Sequence, residues 1–200
     1  MISATDPRAT SPSDIYQPSP TSVALQQGEI ISGLYQWVPK QLVEDMPAFK
    51  RQPFPYTIAL SQSCDLEWDH DARKRGVIAS DKLIPTIHFA LAYTALEIRN
   101  RKGDGAISSD KWSRLRRNDV DRFHFFELVR ECDDAAKEGL PELTVDFKRY
   151  FSLTTPDVYW QLERNAARRT RLRSPYLEHF AMRFFHFQSR VAIPHPHFSA

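Results

Sequence analysis

Short apolar runs, separated by polar turns, recur along the chain and predict β-strands. Three of them lie early, near residues 28–36, 56–62 and 76–80, and each has the length of a buried strand. Aromatic residues dominate 122–129, and residues 143–152 alternate between apolar and polar side chains over part of their length. The pattern therefore predicts five strands, which would form the sheet of a small barrel.

Four other segments show helical spacing or the residues that begin a helix. Residues 86–100 carry apolar side chains three and four positions apart, and a short basic helix is expected at 110–117. A Thr-Pro-Asp sequence opens a predicted helix over 155–172, and Ser174-Pro175 opens another that ends near residue 190. The last helix should pack an apolar stripe on the core, formed by Leu177, Phe180, Ala181, Phe184, Phe187 and Val191. This order of elements predicts an α+β fold, a small β-barrel with an inserted helical segment and two C-terminal helices.

Segments without a regular pattern bound a single domain. Residues 1–24 are rich in Ser, Thr and Pro, and we expect them to be disordered or draped over the surface. Residues 25–194 form the predicted α+β domain, and residues 195–200 form a flexible tail. Inside the domain, the proline-rich stretch 38–55 and the acidic stretch 65–71 are predicted to be loops.

Composition indicates an ordinary globular protein. The chain has 200 residues, of which 42% are hydrophobic and 26% charged, so it can bury one proper core. Two cysteines, Cys64 and Cys132, are too few for a disulfide scaffold, and no signal peptide is recognisable. Since no apolar run approaches the ~18 residues that a membrane span needs, we expect a cytoplasmic protein without a membrane partner.

Charge is distributed unevenly, although the net charge is only +2. Residues 99–117 hold seven Lys and Arg against two acids, residues 119–146 nine acids against three bases, and residues 148–190 nine bases against three acids. Two interpretations remain open. Either the blocks pair with one another inside the protein, or one basic block binds a polyanion such as RNA.

Arginine outnumbers lysine in the last basic block, as in phosphate-binding and ion-pairing surfaces alike. Nearby aromatic residues, Tyr159, Trp160 and Tyr176, are suited to stack on unpaired bases. The candidate nucleic-acid-binding residues are Arg164, Arg168, Arg169, Arg171, Arg173 and Arg183. The alternative is that these arginines pair with the acids of 119–146.

The end of the second predicted strand carries Ser61, Ser63, Cys64 and Asp65. Functional sites often lie at such a place, because a rigid strand is followed there by an exposed segment. A cysteine nucleophile needs a neighbouring cation or histidine, and His70 is near in sequence. The acids around it oppose thiolate formation, so the alternative is structural, with Cys64 in the core and Asp65 closing a turn.

The same cluster lacks the ligand spacing of a metal site. Cys64, Asp65, Asp69, His70 and Asp71 include no Cys-x2-Cys or His-x3-His pair, and the alternating acids lack the glycine and distal glutamate of a calcium loop. We therefore expect no metal and no cofactor.

Several short motifs resemble the SH3-like barrel of the PemK/MazF toxin group, over about half the chain. They are Gly28-Glu29-Ile30, Ile58-Ala59-Leu60-Ser61, Val77-Ile78-Ala79-Ser80 and Thr144-Val145-Asp146-Phe147. The resemblance implies a PemK/MazF-type barrel and metal-independent cleavage of single-stranded RNA by an arginine and a hydroxyl residue. Arg51, Ser61 and Ser80 are the residues here that match those roles, although the Arg-Pro of that group is Phe54-Pro55 in this chain.

A second resemblance spans most of the chain and is to a group of bacterial proteins with no assigned activity. It is carried by Gln27-Gly28-Glu29-Ile30, Ser61-Gln62-Ser63-Cys64-Asp65-Leu66, Arg171-Leu172-Arg173-Ser174-Pro175-Tyr176 and Ser189-Arg190-Val191. It implies a bacterial setting.

Three functions remain open. The first is a binding or accessory module of a bacterial stress or phage-defence system, which recognises RNA or a protein partner encoded nearby. The second is a toxin-type, metal-independent endoribonuclease, and the third is a structural subunit of a larger assembly to which the aromatic-rich strand Phe123–Phe126 contributes an edge. We further predict that Ser61, Ser63 or Asp65 lines a concave surface beside Arg51 or Ser80, suited to a phosphate or a base edge.

Overall fold

The computed structural model describes residues 13–40, 48–78 and 80–190. Nine strands and five α-helices are formed in these residues. The strands are β1 (Tyr16–Pro18), β2 (Glu29–Ser32), β3 (Tyr35–Pro39), β4 (Phe49–Pro53), β5 (Tyr56–Ala59), β6 (Thr86–Thr94), β7 (Phe123–Phe126), β8 (Leu143–Thr154) and β9 (Ala167–Leu172). The helices are α1 (Ser63–Lys74), α2 (Ala95–Arg99), α3 (Ser109–Arg116), α4 (Thr155–Arg164) and α5 (Tyr176–Gln188).

Seven strands form one curled antiparallel sheet, a half-barrel with the order β1-β9-β2-β5-β6-β8-β7. The other two, β3 and β4, form a separate hairpin. The two edges of the curled sheet are tied together, because the Tyr16 hydroxyl of β1 donates to the Glu127 carbonyl just after β7, at 2.8 Å. The mixed α/β class and the barrel-like sheet are confirmed, whereas the PemK/MazF-type identity stays a prediction.

Both faces of the sheet are covered, so the core has two layers. On one face α5 packs Phe180 and Phe187 against Phe147 of β8. On the other face α1 and α4 contribute Leu66 and Val158. Burying side chains of this size contributes about 1.5–3 kcal/mol each. The apolar stripe predicted for the last helix is therefore the face that α5 buries.

Residues 86–100 are mostly strand, and the prediction of a helix there is wrong. β6 runs from Thr86 to Thr94 and pairs with β5 on one side and β8 on the other. Its β-branched and aromatic residues suit a strand, and two partner strands outweigh the helical spacing. Only α2 is helical, and its capping box joins the Thr94 and Glu97 side chains and backbone N–H groups.

The helix predicted over 155–172 is also too long. It begins as expected, with Pro in the first turn and the Thr154 hydroxyl accepting the Asp157 N–H, but α4 ends at Arg164. The remaining residues form β9, which lies between β1 and β2. Alternate burial of Thr170 and Leu172 makes this short segment a strand of the core sheet.

Two other segments differ from their predicted secondary structure. The acidic stretch 65–71 lies in α1, whose buried side carries Leu66, Asp69 and Ala72, three positions apart. The predicted strand 76–80 is not a strand in its described residues, and Ile78 there is 95% exposed. One residue of that run is outside the described residues.

The described part of the proline-rich stretch 38–55 belongs largely to the β3–β4 hairpin rather than to a loop, and residues 41–47 are outside the described residues. The sheet also begins before the predicted domain boundary, since β1 pairs with β9 and Tyr16 is fully buried. Residues 1–12 and 191–200, including the predicted tail, lie outside the described residues.

The inserted helical segment is present between β6 and β7. Here the insert means residues 95–122, with α2 and α3 as its helices; α3 confirms the short basic helix predicted at 110–117. The Ser108 hydroxyl caps α3 by accepting the Lys111 N–H at 3.2 Å. The insert has a small core of its own with β7, formed by Ile98, Ile107, Leu115 and Phe123.

Candidate functional site

A cleft opens where β5 ends and α1 begins. His88 of β6 lies directly across from Ser152 of β8, so both side chains leave the same face of the sheet. The His88 Nδ1 atom is 2.7 Å from the Ser152 hydroxyl, and the Ser61 hydroxyl accepts the His88 backbone N–H at 3.0 Å. Ser61 and His88 line the cleft, and Ser152 orients the imidazole.

The walls of the cleft come from α1, β8 and α5. Asp65 lies in the first turn of α1, while Tyr150 and Phe185 are each about half exposed on β8 and α5. The volume is about 570 Å³. The cleft is lined by Leu60, Ser61, Gln62, Asp65, Ile84, Pro85, Thr86, His88, Tyr150, Phe184, Phe185 and Gln188.

The charge of this cleft is acidic. Asp65 is its one carboxylate among the described lining residues, and none of them is Lys or Arg. The N-terminal end of α1 favours a negative side chain at this position. The Cys64 thiol lies 3.7 Å from the Asp65 Oδ1 atom. A phosphate would meet the carboxylate without a cation beside it, so the geometry favours the base edge over the phosphate that the sequence also suggested.

The structure brings together only part of the predicted strand-end site. Ser61 and Asp65 line one concave surface, as expected, but Arg51 and Ser80 do not. The Arg51 guanidinium lies 3.9 Å from the Tyr35 ring in the separate hairpin, and the Ser80 hydroxyl donates to Asp81. The arginine–hydroxyl pair implied by the toxin resemblance is therefore not assembled.

Cys64 and Ser63 also differ from their predicted roles. Cys64 is exposed, so the interpretation that it fills the core is wrong. The Ser63 hydroxyl accepts the Gln27 N–H at 3.1 Å and ties the start of α1 to the turn before β2. His88 was not among the predicted site residues, because residues 86–100 were predicted to form a helix. The feature that identifies His88 is its position opposite Ser152 on the neighbouring strand. That position follows from the strand pairing and is not visible in the local sequence.

The six candidate arginines do not form one free basic face. The Arg168 guanidinium pairs with buried Glu29 at 2.7 Å. The Arg169 guanidinium is itself buried and makes a two-bond pair with Asp134, at 2.9 and 2.7 Å, and a further contact with Glu138. The alternative, that the arginines pair with acids of 119–146, is confirmed for Arg169.

The other four arginines are scattered. Arg171 contacts the Gln26 side chain, and Arg173 donates to the Tyr16 carbonyl at 2.8 Å. Arg183 donates to two carbonyl groups of the Val120–Phe123 segment, at 3.0 and 2.9 Å, and so holds α5 to the insert. Arg164 is exposed, pairs with exposed Glu163 and lies 4.7 Å from the Trp160 ring.

A second cleft, of about 680 Å³, lies against the insert, and its lining combines three arginines with aromatic rings and two glutamates, Glu127 and Glu142. Arg116 and Arg117, at the end of α3, line it together with Trp112 and Phe125. The two rings meet edge to face with centroids 6.3 Å apart, and the Arg116 guanidinium lies 5.8 Å from the Phe125 centroid. The basic block 99–117, which holds none of the predicted nucleic-acid-binding residues, is thus the one that places exposed arginines beside aromatic rings in a cleft.

Within residues 13–40, 48–78 and 80–190, no three His, Cys, Asp or Glu side chains are grouped so that they could hold a metal ion. In the same residues, no helix has both the length and the apolar content needed to cross a membrane. In comparisons with protein-family models, with curated proteins and with solved structures, no match to this chain was found.

Proposed function

We propose that this protein is a binding module that recognises single-stranded nucleic acid, RNA in particular, through the insert. The observation that carries the proposal is the cleft in which Arg116 and Arg117 lie beside Trp112 and Phe125. Guanidinium groups bind phosphate oxygens, and aromatic rings stack on unpaired bases. One cleft therefore offers both of the contacts that a flexible strand needs.

The cations of α3 are available to a ligand. Lys111, Arg114 and Arg116 are exposed, and among the described residues none of them has a carboxylate within ion-pair distance. Arg117 does pair with Asp119, but both side chains are more than half exposed. Such a pair contributes little in water, so a phosphate can replace the carboxylate at small cost.

The structural-subunit alternative is less well supported. β7 does lie at the edge of the sheet, as that alternative requires. The Asn118 side chain, however, accepts the Phe125 N–H at 2.7 Å and donates to the Phe125 carbonyl at 3.2 Å. Since these are the backbone groups that a further strand would use, Asn118 closes the edge to strand addition.

A salt series with a fluorescently labelled 12-nucleotide RNA tests the proposal by anisotropy. We expect micromolar affinity at about 50 mM salt and steep weakening towards 200 mM, because phosphate contacts release counterions. Replacing Arg116 and Arg117 by Ala removes two such contacts and lowers the log–log salt slope by roughly 1.4. A folded-state control, the melting temperature of the variant, should stay within 2 °C or so of the parent.

Arg164→Ala is the matched control, because Arg164 is also an exposed arginine beside an aromatic ring. It should leave the affinity and the slope unchanged. Equal losses in both variants would show a diffuse charge effect rather than a site, and absence of RNA binding by the unmodified protein at 50 mM salt would overturn the proposal. The setting in a bacterial stress or phage-defence system, with a protein partner encoded nearby, stays a prediction.

A further inference from the structure

We infer that the acidic cleft at the end of β5 is a separate site for a single nucleobase that carries an exocyclic amino group. This site does not depend on RNA binding by the insert. His88 and Thr94, which directly precedes the insert, are six positions apart, or about 20 Å along β6. The two sites can therefore be tested independently.

The polar groups of the cleft match a base edge. Asp65 offers carboxylate oxygens that accept N–H bonds, and its Oδ2 atom has no hydrogen-bond partner among the described residues. Ser61, Gln62 and His88 supply groups that both donate and accept. Adenine, guanine and cytosine present adjacent donors and acceptors on one edge, whereas an alkylammonium presents donors alone. A mixed set of groups around one carboxylate thus favours the base.

Aromatic and aliphatic side chains form the apolar walls of the cleft. Tyr150 is 51% exposed and Phe185 is 52% exposed, although both line a concave surface. Phe184, which also lines the cleft, lies with its ring centroid 5.9 Å from each of these two rings. Stacking of a base on such rings contributes about 1–3 kcal/mol, and Ile84 and Pro85 complete an apolar rim.

The absence of Lys and Arg from the described lining residues decides the chemical class. With its amino group on Asp65, a nucleotide would bring its phosphate into or to the rim of a cleft whose described lining holds no Lys or Arg, so no cation there would compensate the repulsion by the carboxylate. A carboxylate instead attracts the amino group, whose hydrogens carry partial positive charge. The expected ligand is therefore a free nucleoside or base, or an unpaired base whose phosphates stay outside the cleft.

Calorimetric titration of the full chain with adenosine, guanosine, cytidine and uridine tests the inference. At least one of the three aminated nucleosides should bind with a dissociation constant below about 1 mM, and uridine should bind at least tenfold more weakly, since it lacks the amino group. The 5′-monophosphate of the best nucleoside should bind more weakly than the nucleoside. Asp65→Asn should weaken the best ligand by tenfold or more.

Asp71→Asn is the matched control, because Asp71 is an exposed acid on the same helix and does not line the cleft. It should bind like the unmodified protein, and both variants should keep the parent melting temperature. Absence of binding by all nucleosides, equal binding of uridine, or equal affinities of the two variants would each overturn the inference. Tyr150→Phe should retain binding and Tyr150→Ala should lose it, which separates stacking from hydroxyl bonding.

The two sources of the base are distinguished with the Arg116→Ala/Arg117→Ala variant. If this variant loses the 12-nucleotide RNA but keeps the nucleoside, the cleft binds a free ligand and the proposed function also holds. If the unmodified protein binds the nucleoside and no RNA, the inference of a nucleobase site in the cleft holds and the proposal of RNA binding fails. If nucleoside competes with RNA on the unmodified protein, the cleft takes a base of the bound strand.

Discussion

Replacing Arg169 with Met should destabilise the protein strongly without affecting nucleic-acid binding. Arg169 of β9 is only 7% exposed and makes two hydrogen bonds to Asp134, which is fully buried. It also donates to the Gly139 carbonyl at 3.2 Å. Met fills similar volume but has no charge, so the substitution leaves the Asp134 carboxylate buried opposite an apolar side chain.

The magnitude follows from the cost of an unpaired buried charge. Breaking a buried ion pair by removing one partner costs about 3–5 kcal/mol. Asp134 keeps the backbone N–H groups of Ala136, Glu138 and Gly139, so the lower half of that range is expected. For a chain of this length each kcal/mol lowers the melting temperature by about 2–4 °C, which predicts a loss of roughly 6–16 °C.

The stabilisation by the Arg169–Asp134 pair should also depend on pH. Burial by itself would raise the pKa of Asp134, but hydrogen bonds from Arg169 and from two backbone N–H groups outweigh it, and the pKa lies below its ordinary value. A depressed carboxyl pKa stabilises the fold above the unfolded pKa, near 3.9, and this contribution is lost as the pH falls through the folded value. The stability difference between parent and Arg169→Met should therefore shrink below about pH 4.

Urea unfolding followed by circular dichroism measures the free energy of unfolding, and RNA anisotropy is run on the same samples. Arg164→Ala is the control and should cost less than about 0.5 kcal/mol, because its ion pair is exposed. In the double variant with Asp134→Asn, the loss should be smaller than the sum of the two single losses. If Arg169→Met leaves the unfolding midpoint unchanged and weakens RNA binding, this reasoning is refuted. Arg169 would then belong to a binding surface.

Three further predictions concern the backbone, the sheet edge and the cysteines. Gly33→Ala should lower the free energy of unfolding by at least about 1–2 kcal/mol, because φ is +83° and the new Cβ would lie 2.7 Å from a backbone carbonyl oxygen. Gly76→Ala is the control, because φ is +73° there but the space around it is open. Its melting temperature should fall less than that of Gly33→Ala. Asn118→Ala should destabilise by about 1–3 kcal/mol and expose the β7 edge, so that size-exclusion chromatography detects self-association; a stable monomer would contradict the edge-closing role. Native-state thiol labelling should modify exposed Cys64 faster than half-buried Cys132, and equal rates would argue against that difference.

Local patterns were sufficient where a segment's periodicity and its tertiary environment agree. The last helix is an example, because apolar residues at helical spacing, among them Phe180 and Phe187, meet the sheet as predicted. The strand predicted at 143–152 is another, since β8 covers it, although Leu143 to Phe147 are all buried and the expected alternation of buried and exposed side chains is wrong there. Ser61 and Asp65 were predicted to line a concave surface because strand ends lead into exposed segments, and the cleft contains both.

Pairing between distant segments decided the rest. β6 carries helical spacing in its sequence, yet two neighbouring strands provide its partners, and no local signal reports on them. The partners of the arginine side chains also come from distant parts of the chain, since Arg168 and Glu29 are 139 positions apart. His88 joined the candidate site only through its register with Ser152.

The sequence by itself therefore determined the mixed α/β class, the short helix α3 of the insert, the start of α4 at Thr155 and the last helix, since the start and the periodicity of a helix depend on residues close together in the chain. Tertiary structure alone decided which arginines are surface groups and which are buried counter-ions. An arginine carries the same charge in either place, and only the position of a carboxylate brought near by folding distinguishes Arg169, paired with Asp134, from Arg116, exposed beside Phe125.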